Sequence, residues 1–255
     1  MSIENGMGPR IVFMGTADFG VPALTALHLR YGVHAVVTLP DAPVGRGRSL
    51  QPSAVKRAAE DLGIHTLLQP ASLRDENFLS ALRHLEPDII CVIAFRIIPR
   101  SVYSLARLGA FNVHGSLLPK YRGAAPVHHA IINGEKQSGV TSFLLNDVVD
   151  TGSVLLSASH DIADGTTAGE LYAALMPLAA TVAVDTVELL TRGEVQPLQQ
   201  DESMATAAPK VWRDLSSIPW DKSCVRVQQF ILGLSPQPCA WTMMDGERIK
   251  VYRAR

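Results

Sequence analysis

Cysteine is scarce in this chain. Cys91, Cys224 and Cys239 are its only three. They are odd in number, far apart and without a Cys-x-x-Cys pair, so neither a disulfide framework nor a zinc site is suggested, and a reducing compartment fits. Long apolar runs are missing: no stretch of about 18 uninterrupted apolar residues occurs, and the leading MSIENGMGPR has no apolar core of signal-peptide length. A cytoplasmic protein without a membrane span is therefore expected. Excess charge of either sign is also absent. The 23 Lys and Arg face 24 Asp and Glu, a net charge of −1, so any nucleic-acid contact must be local. Internal repeats and low-complexity segments are lacking as well. What remains is an ordinary globular composition, 47% hydrophobic and 18% charged over 255 residues. That length suits a main domain of roughly 150 to 200 residues with an appendage.

Strand and helix signals alternate from residue 10 to about 135. The apolar run at residues 10–14 ends at Gly15 and gives way to a helical stretch at 21–31. A strand at 33–38, a helix at 53–62, a short strand at 64–68 and a helix at 75–85 follow. Residues 88–94 (DIICVIA) are apolar and β-branched without alternation, as in a central strand covered on both faces, and 110–114 reads as its neighbour. This pattern predicts an α/β fold, a Rossmann-like wound parallel sheet with ligands at the carboxyl ends of its strands. Strands at 140–145 and 153–159 lie too close together for an intervening helix. Thr167-Ala-Gly-Glu170 has capping-box spacing and opens a long helix that Gly193 can end and Pro177 should kink. Residues 194–208 lack periodicity and read as a linker. A second unit from about 209 holds a helix at 225–232 and strands at 239–244 and 248–253.

Gly15-Thr-Ala-Asp-Phe-Gly20 stands where a dinucleotide loop would, but position 17 is Ala rather than Gly. A tight strand-to-helix turn, with glycines supplying unusual backbone angles, is the preferred reading. Pro40 to Arg48, continuing to Lys56 and Arg57, is a connection of roughly fourteen residues where about 2 to 6 is common. Its Arg46, Arg48, Lys56 and Arg57 are either a solvated basic loop or a grip for phosphates. Asn112 and His114, two apart at a strand end, point to one side and offer an amide donor and an imidazole, the equipment for stabilising an oxyanion. Asp147 or Asp150 could return to the same edge and orient that imidazole. His128 and His129 are adjacent in a helix and diverge by about 100°, which argues against a shared metal ion.

Taken in order, Phe13-Met-Gly-Thr-Ala-Asp-Phe-Gly20, Pro40 to Arg48, Asn112 to Pro126, Gly139-Val-Thr141, Asp150-Thr-Gly152 and Pro236 to Trp241 resemble the methionyl-tRNA formyltransferase family of the formyltransferase superfamily. The resemblance spans residues 10 to 255. It implies transfer of the formyl group of 10-formyltetrahydrofolate to the α-amino group of methionine on initiator tRNA, in translation initiation. It also implies Asn112, His114 and Asp150 as the catalytic trio, so that Asp150 is preferred over Asp147. Ser116, Leu117, Leu118 and Pro119 match the folate-contacting loop, and Arg46 and Arg48 the insertion that meets the tRNA acceptor end. No metal is implied, and a monomer is expected. The implied division is 1–193 catalytic, 194–208 linker and 209–255 a partial, β-barrel-type tRNA-binding domain. Two departures stand out. Arg96 replaces a Gly common in the pteridine segment at 94–99. Family members also usually continue several tens of residues beyond Arg253, so unpaired strand edges and weaker tRNA binding are expected. The alternative is a formyltransferase for a small amine, such as a nucleotide-sugar amine; the basic loop and the appendage favour the polyanion.

Overall fold

A computed structural model describes residues 8–44 and 49–255. The strands are β1 (Ile11–Gly15), β2 (Val33–Val37), β3 (Ala42–Val44), β4 (Ser49–Gln51), β5 (Leu67–Leu68), β6 (Ile89–Ile93), β7 (Gly109–His114), β8 (Gln137–Leu144), β9 (Val154–Asp161), β10 (Ala240–Met244) and β11 (Glu247–Val251). The helices are α1 (Val21–Tyr31), α2 (Ala54–Asp61), α3 (Glu76–His84), α4 (Arg100–Tyr103), α5 (Pro126–Ile132), α6 (Ala168–Arg192) and α7 (Cys224–Gly233). A seven-stranded sheet has the order β5-β2-β1-β6-β7-β8-β9. Its strands from β5 to β7 are parallel, and β7 pairs with β8 antiparallel. The wound sheet expected from the sequence is thus mostly parallel, with an antiparallel step beside the strand that carries Asn112 and His114.

β1 and β6 are buried along their full length, which is why they lack alternation. One face of the sheet, through Val12, Met14, Ile90, Val92 and Ala110, packs on Phe78, Leu79, Leu82 and Val102 of α3 and α4. Each of the larger side chains, fully buried, contributes about 1.5–3 kcal/mol. At the end of β1 a Cβ on Gly15 would stand 2.8 Å from the Ile93 carbonyl. Gly15 and Gly20 keep ordinary backbone angles. They are needed for close packing, not for the unusual angles anticipated.

The described residues form two compact units. One holds the chain up to His114 with Thr141–Ser157 and Met176–Gln200; the other holds Gly115–Val140, Ala158–Leu175 and Asp201–Arg255. The chain therefore passes between them more than once. In the second, α5 packs on α7, where a Cβ on Gly233 would reach within 2.4 Å of Ile132. Ile218, Val227, Ile231, Leu234 and Ala240 form its small core. β10 and β11 are antiparallel, joined by Asp245 and Gly246, both in left-handed backbone conformation, the geometry of a two-residue hairpin turn.

α6 starts with the expected capping box: the Thr167 N–H donates to Glu170 Oε2 at 2.8 Å, and the Glu170 N–H to Thr167 Oγ1 at 3.2 Å. The Thr167 N–H and hydroxyl, with Arg253, hold the Glu170 carboxyl below its usual range. The helix continues through Pro177 to Arg192. Length and composition would let it cross a membrane, yet Leu171, Leu175, Ala179, Ala183 and Val187 are buried core residues.

Candidate active site

β7 delivers two of the three expected catalytic residues. In its register with β8, Asn112 lies opposite Phe143 and His114 opposite Thr141, so the pair shares one face. The alternate face carries Ser142, whose Oγ accepts from the hydroxyl of Thr186 on α6 at 2.7 Å. Asn112 and His114 therefore point away from α6. His114 is buried and Asn112 half-buried.

Asp150 reaches the same place from the loop between β8 and β9. Its Oδ2 lies 3.8 Å from His114 Nδ1, and both side chains are about nine-tenths buried. Asp147 does not reach it: it is exposed, accepts from the Tyr103 hydroxyl at 2.6 Å and lies 3.7 Å from Arg100. Of the two carboxylates left open on spacing alone, Asp150 is the one that lies beside His114. Within the loop, Asn146 Oδ1 accepts from the Val148 N–H at 3.1 Å and the Thr151 hydroxyl donates to the Val148 carbonyl at 3.0 Å. Asp150 itself has a left-handed φ of 57°, uncommon for a side-chain-bearing residue though less so for Asp. Gly152 lies so close to β8 that an added Cβ would stand 1.6 Å from the Leu144 carbonyl oxygen.

Sequence reasoning missed Gln200. Its Nε2 donates to the carbonyls of Asp150 at 2.9 Å and Gly152 at 2.8 Å. Nothing in an aperiodic, Gln-rich stretch marks one glutamine as a brace. The residues beside it are anchored too, since Leu198 and Val154 exchange two backbone hydrogen bonds of 2.9 and 2.7 Å. Farther along the same stretch, Arg122 bonds to Thr206 and Ala208, and a Cβ on Gly123 would press on the Ala208 carbonyl at 2.7 Å.

In the second unit, Ser116 is buried and its hydroxyl donates to the Lys120 carbonyl at 2.6 Å, closing the turn. Leu117, Leu118 and Pro119 are half-buried. Leu117 and Pro119 line a cavity of about 350 Å³ with Tyr121, Glu135 and Met204, within the size range of small-ligand sites. Burial, and donation of its hydroxyl to Glu135 at 2.7 Å, push the Tyr121 phenol up to about 12. His128 and His129 diverge as expected, to the carbonyls of Gln237 and Pro209.

Arg46 and Arg48 lie outside the described residues. The flanking segments, expected as loop, form the hairpin β3–β4. At its base Lys56 bonds both oxygens of Asp41, at 2.9 and 2.7 Å, and Gln69 at 3.1 Å. The hydrogen bond from Lys56, then that from Gln69, hold the Asp41 carboxyl below its usual range. Lys56 thus braces the hairpin, while Arg57 stays exposed. Arg96 finds its room by folding onto the carbonyls of Pro70 and Ala71, the latter at 2.9 Å.

A protein-family model described as formyl transferase matches residues 9–187, and one described as formyl transferase, C-terminal domain, matches residues 210–255. A methionyl-tRNA formyltransferase of Porphyromonas gingivalis is 46% identical over 256 residues, covering 96% of this chain and 79% of the relative. The chain belongs to the methionyl-tRNA formyltransferase family. Another such relative, from Chlorobium phaeovibrioides, is 43% identical over 249 residues, covering 96% of this chain and 78% of its own. Among solved structures, a sugar 3N-formyltransferase crystallised with dTDP and 5-N-formyl-THF superposes with a TM-score of 0.73 at 19% identity, covering 97% of this chain and 86% of that one. At that identity the likeness speaks for the formyltransferase fold alone.

Proposed function

We propose that the protein moves the formyl group of 10-formyltetrahydrofolate to the α-amino group of methionine esterified to initiator tRNA. The observation that carries this reading is the buried His114–Asp150 pair, with Asn112 two residues before the histidine on the same face of β7. The amine nitrogen attacks the formyl carbon and the C=O electron pair moves onto oxygen. Asn112 and His114 donate hydrogen bonds to that oxyanion. Collapse breaks the bond from carbon to N10 of the folate, which gains a proton as the attacking nitrogen loses one. Asp150, with Oδ2 3.8 Å from His114 Nδ1, acts on the imidazole through its charge and holds it in place.

The Ser116–Pro119 segment serves the folate in this reading, through Leu117 and Pro119 at the cavity wall. Arg46 and Arg48 serve the tRNA acceptor end. In this reading residues 1–193 are catalytic, 209–255 bind tRNA and 194–208 connect them while anchored through Leu198 and Gln200; the family matches, over 9–187 and 210–255, fall on either side of that connection. A cytoplasmic monomer fits a role in translation initiation. The test is transfer of labelled formyl from 10-formyltetrahydrofolate to charged initiator tRNA with a nucleotide-sugar amine as competitor. Label should accumulate on the tRNA; label found on the sugar alone would establish the small-amine alternative.

A further inference from the structure

We propose that Gln200 is a positioning residue, clamping the backbone of the Asp150 loop so that the carboxylate stays turned toward His114. This deepens, and rests on, the reading of Asp150 as part of the catalytic trio. The loop has a conformation that its own residues do not favour, with Asp150 at a φ of 57° and its side chain buried. Such a conformation persists only where the surroundings over-determine it. Two restraints do so. Gly152 is pressed against the Leu144 carbonyl, where no side chain fits. The single amide nitrogen of Gln200 then ties the carbonyls on either side of Thr151, those of Asp150 and Gly152, at 2.9 and 2.8 Å.

Gln200 is itself held. Two residues earlier, Leu198 pairs with Val154 at the start of β9 through reciprocal backbone bonds. A stretch whose composition reads as a linker is in this light the second wall of the loop. Glutamate at position 200 would match the glutamine in shape but present oxygen to two carbonyl oxygens. Methionine would match its length and offer no donor.

The experiment measures Gln200→Glu, Gln200→Met, Asp150→Asn and the double variants, with folate donor and charged tRNA varied separately and thermal unfolding recorded. A carboxylate displaced by about 1 Å should cost on the order of 10²-fold in kcat. KM for the folate donor should change less than about threefold, because positioning acts in the transition state and not on donor binding. In the Asp150→Asn background either Gln200 change should lower kcat by less than about threefold more, since residues acting through one another are not additive. Gln200 variants with wild-type kcat, or with a full additional loss on top of Asp150→Asn, would overturn the positioning role while leaving the trio intact. A fully active Asp150→Asn enzyme would instead remove the reading on which the inference stands.

Discussion

Gly152→Ala should disable turnover while leaving the protein folded. The added methyl carbon would stand 1.6 Å from the Leu144 carbonyl oxygen and 3.2 Å from Phe143 Cδ2. To reach even a tight contact of about 3 Å, the loop must retreat from β8 by roughly 1.4 Å, since backbone on both sides leaves no flexible side chain to give way. Asp150, two residues away, moves with it and lengthens a His114–Asp150 separation that is already 3.8 Å. The overpacking should cost about 1–3 kcal/mol in stability. At about 2–4 °C per kcal/mol, that lowers the melting temperature by several degrees. Misplacement of the carboxylate should cost on the order of 10²-fold in kcat. Calorimetry and steady-state formyl transfer separate the two effects. A Gly152→Ala enzyme with wild-type kcat and a wild-type melting temperature would refute the argument from close packing.

Asp147→Asn should keep activity within about twofold, because its contacts are exposed and such pairs contribute little; Asp150→Asn should lose on the order of 10²-fold or more in kcat. The reverse ranking would move the carboxylate role to Asp147. Asp88→Asn should destabilise by about 2–4 kcal/mol, as the buried Asp88 accepts from the Arg10 N–H and Arg107 Nε, both at 2.8 Å. Burial raises the Asp88 carboxyl, but these bonds and charges outweigh it and hold it below its usual range. Its folded value is thus depressed, so the stabilisation is present above about pH 4 and fades as pH falls through the folded value. Wild type and Asp88→Asn should therefore converge in chemical denaturation toward pH 2, and a pH-independent gap would contradict the linkage. Arg96→Ala should free the carbonyls of Pro70 and Ala71 and lower the melting temperature by about 2–6 °C. An unchanged melting curve would show that the Arg96 contacts do not stabilise the fold.

The sheet was legible because burial writes itself into composition: Ile89–Ile93 is apolar throughout, since both its faces are covered. The helix signals at 21–31, 53–62 and 75–85 matched α1, α2 and α3 within a residue at each end. The hairpin β3–β4 was not legible. Strands of three residues, Ala42–Val44 and Ser49–Gln51, carry too few alternations to register as period two. α4 escaped notice for the same reason, at four residues. Asn112 and His114 could be picked out because two chemically apt residues share a strand face. The choice of Asp150 over Asp147 needed the family resemblance or the coordinates, because both sit in one irregular loop. Gln200 had no signal at all, as its partners are carbonyls common to every residue.

The central claim is that His114 and Asp150 work as a pair on a formyl group bound for methionyl-tRNA. Single-turnover transfer of labelled formyl from 10-formyltetrahydrofolate to charged initiator tRNA, by wild type, His114→Ala, Asp150→Asn and the double variant, tests it most directly. Labelled tRNA should form with the wild type, with a large loss for each single variant and little further loss for the double. Wild-type rates in the double variant, or label that never reaches the tRNA, would contradict it.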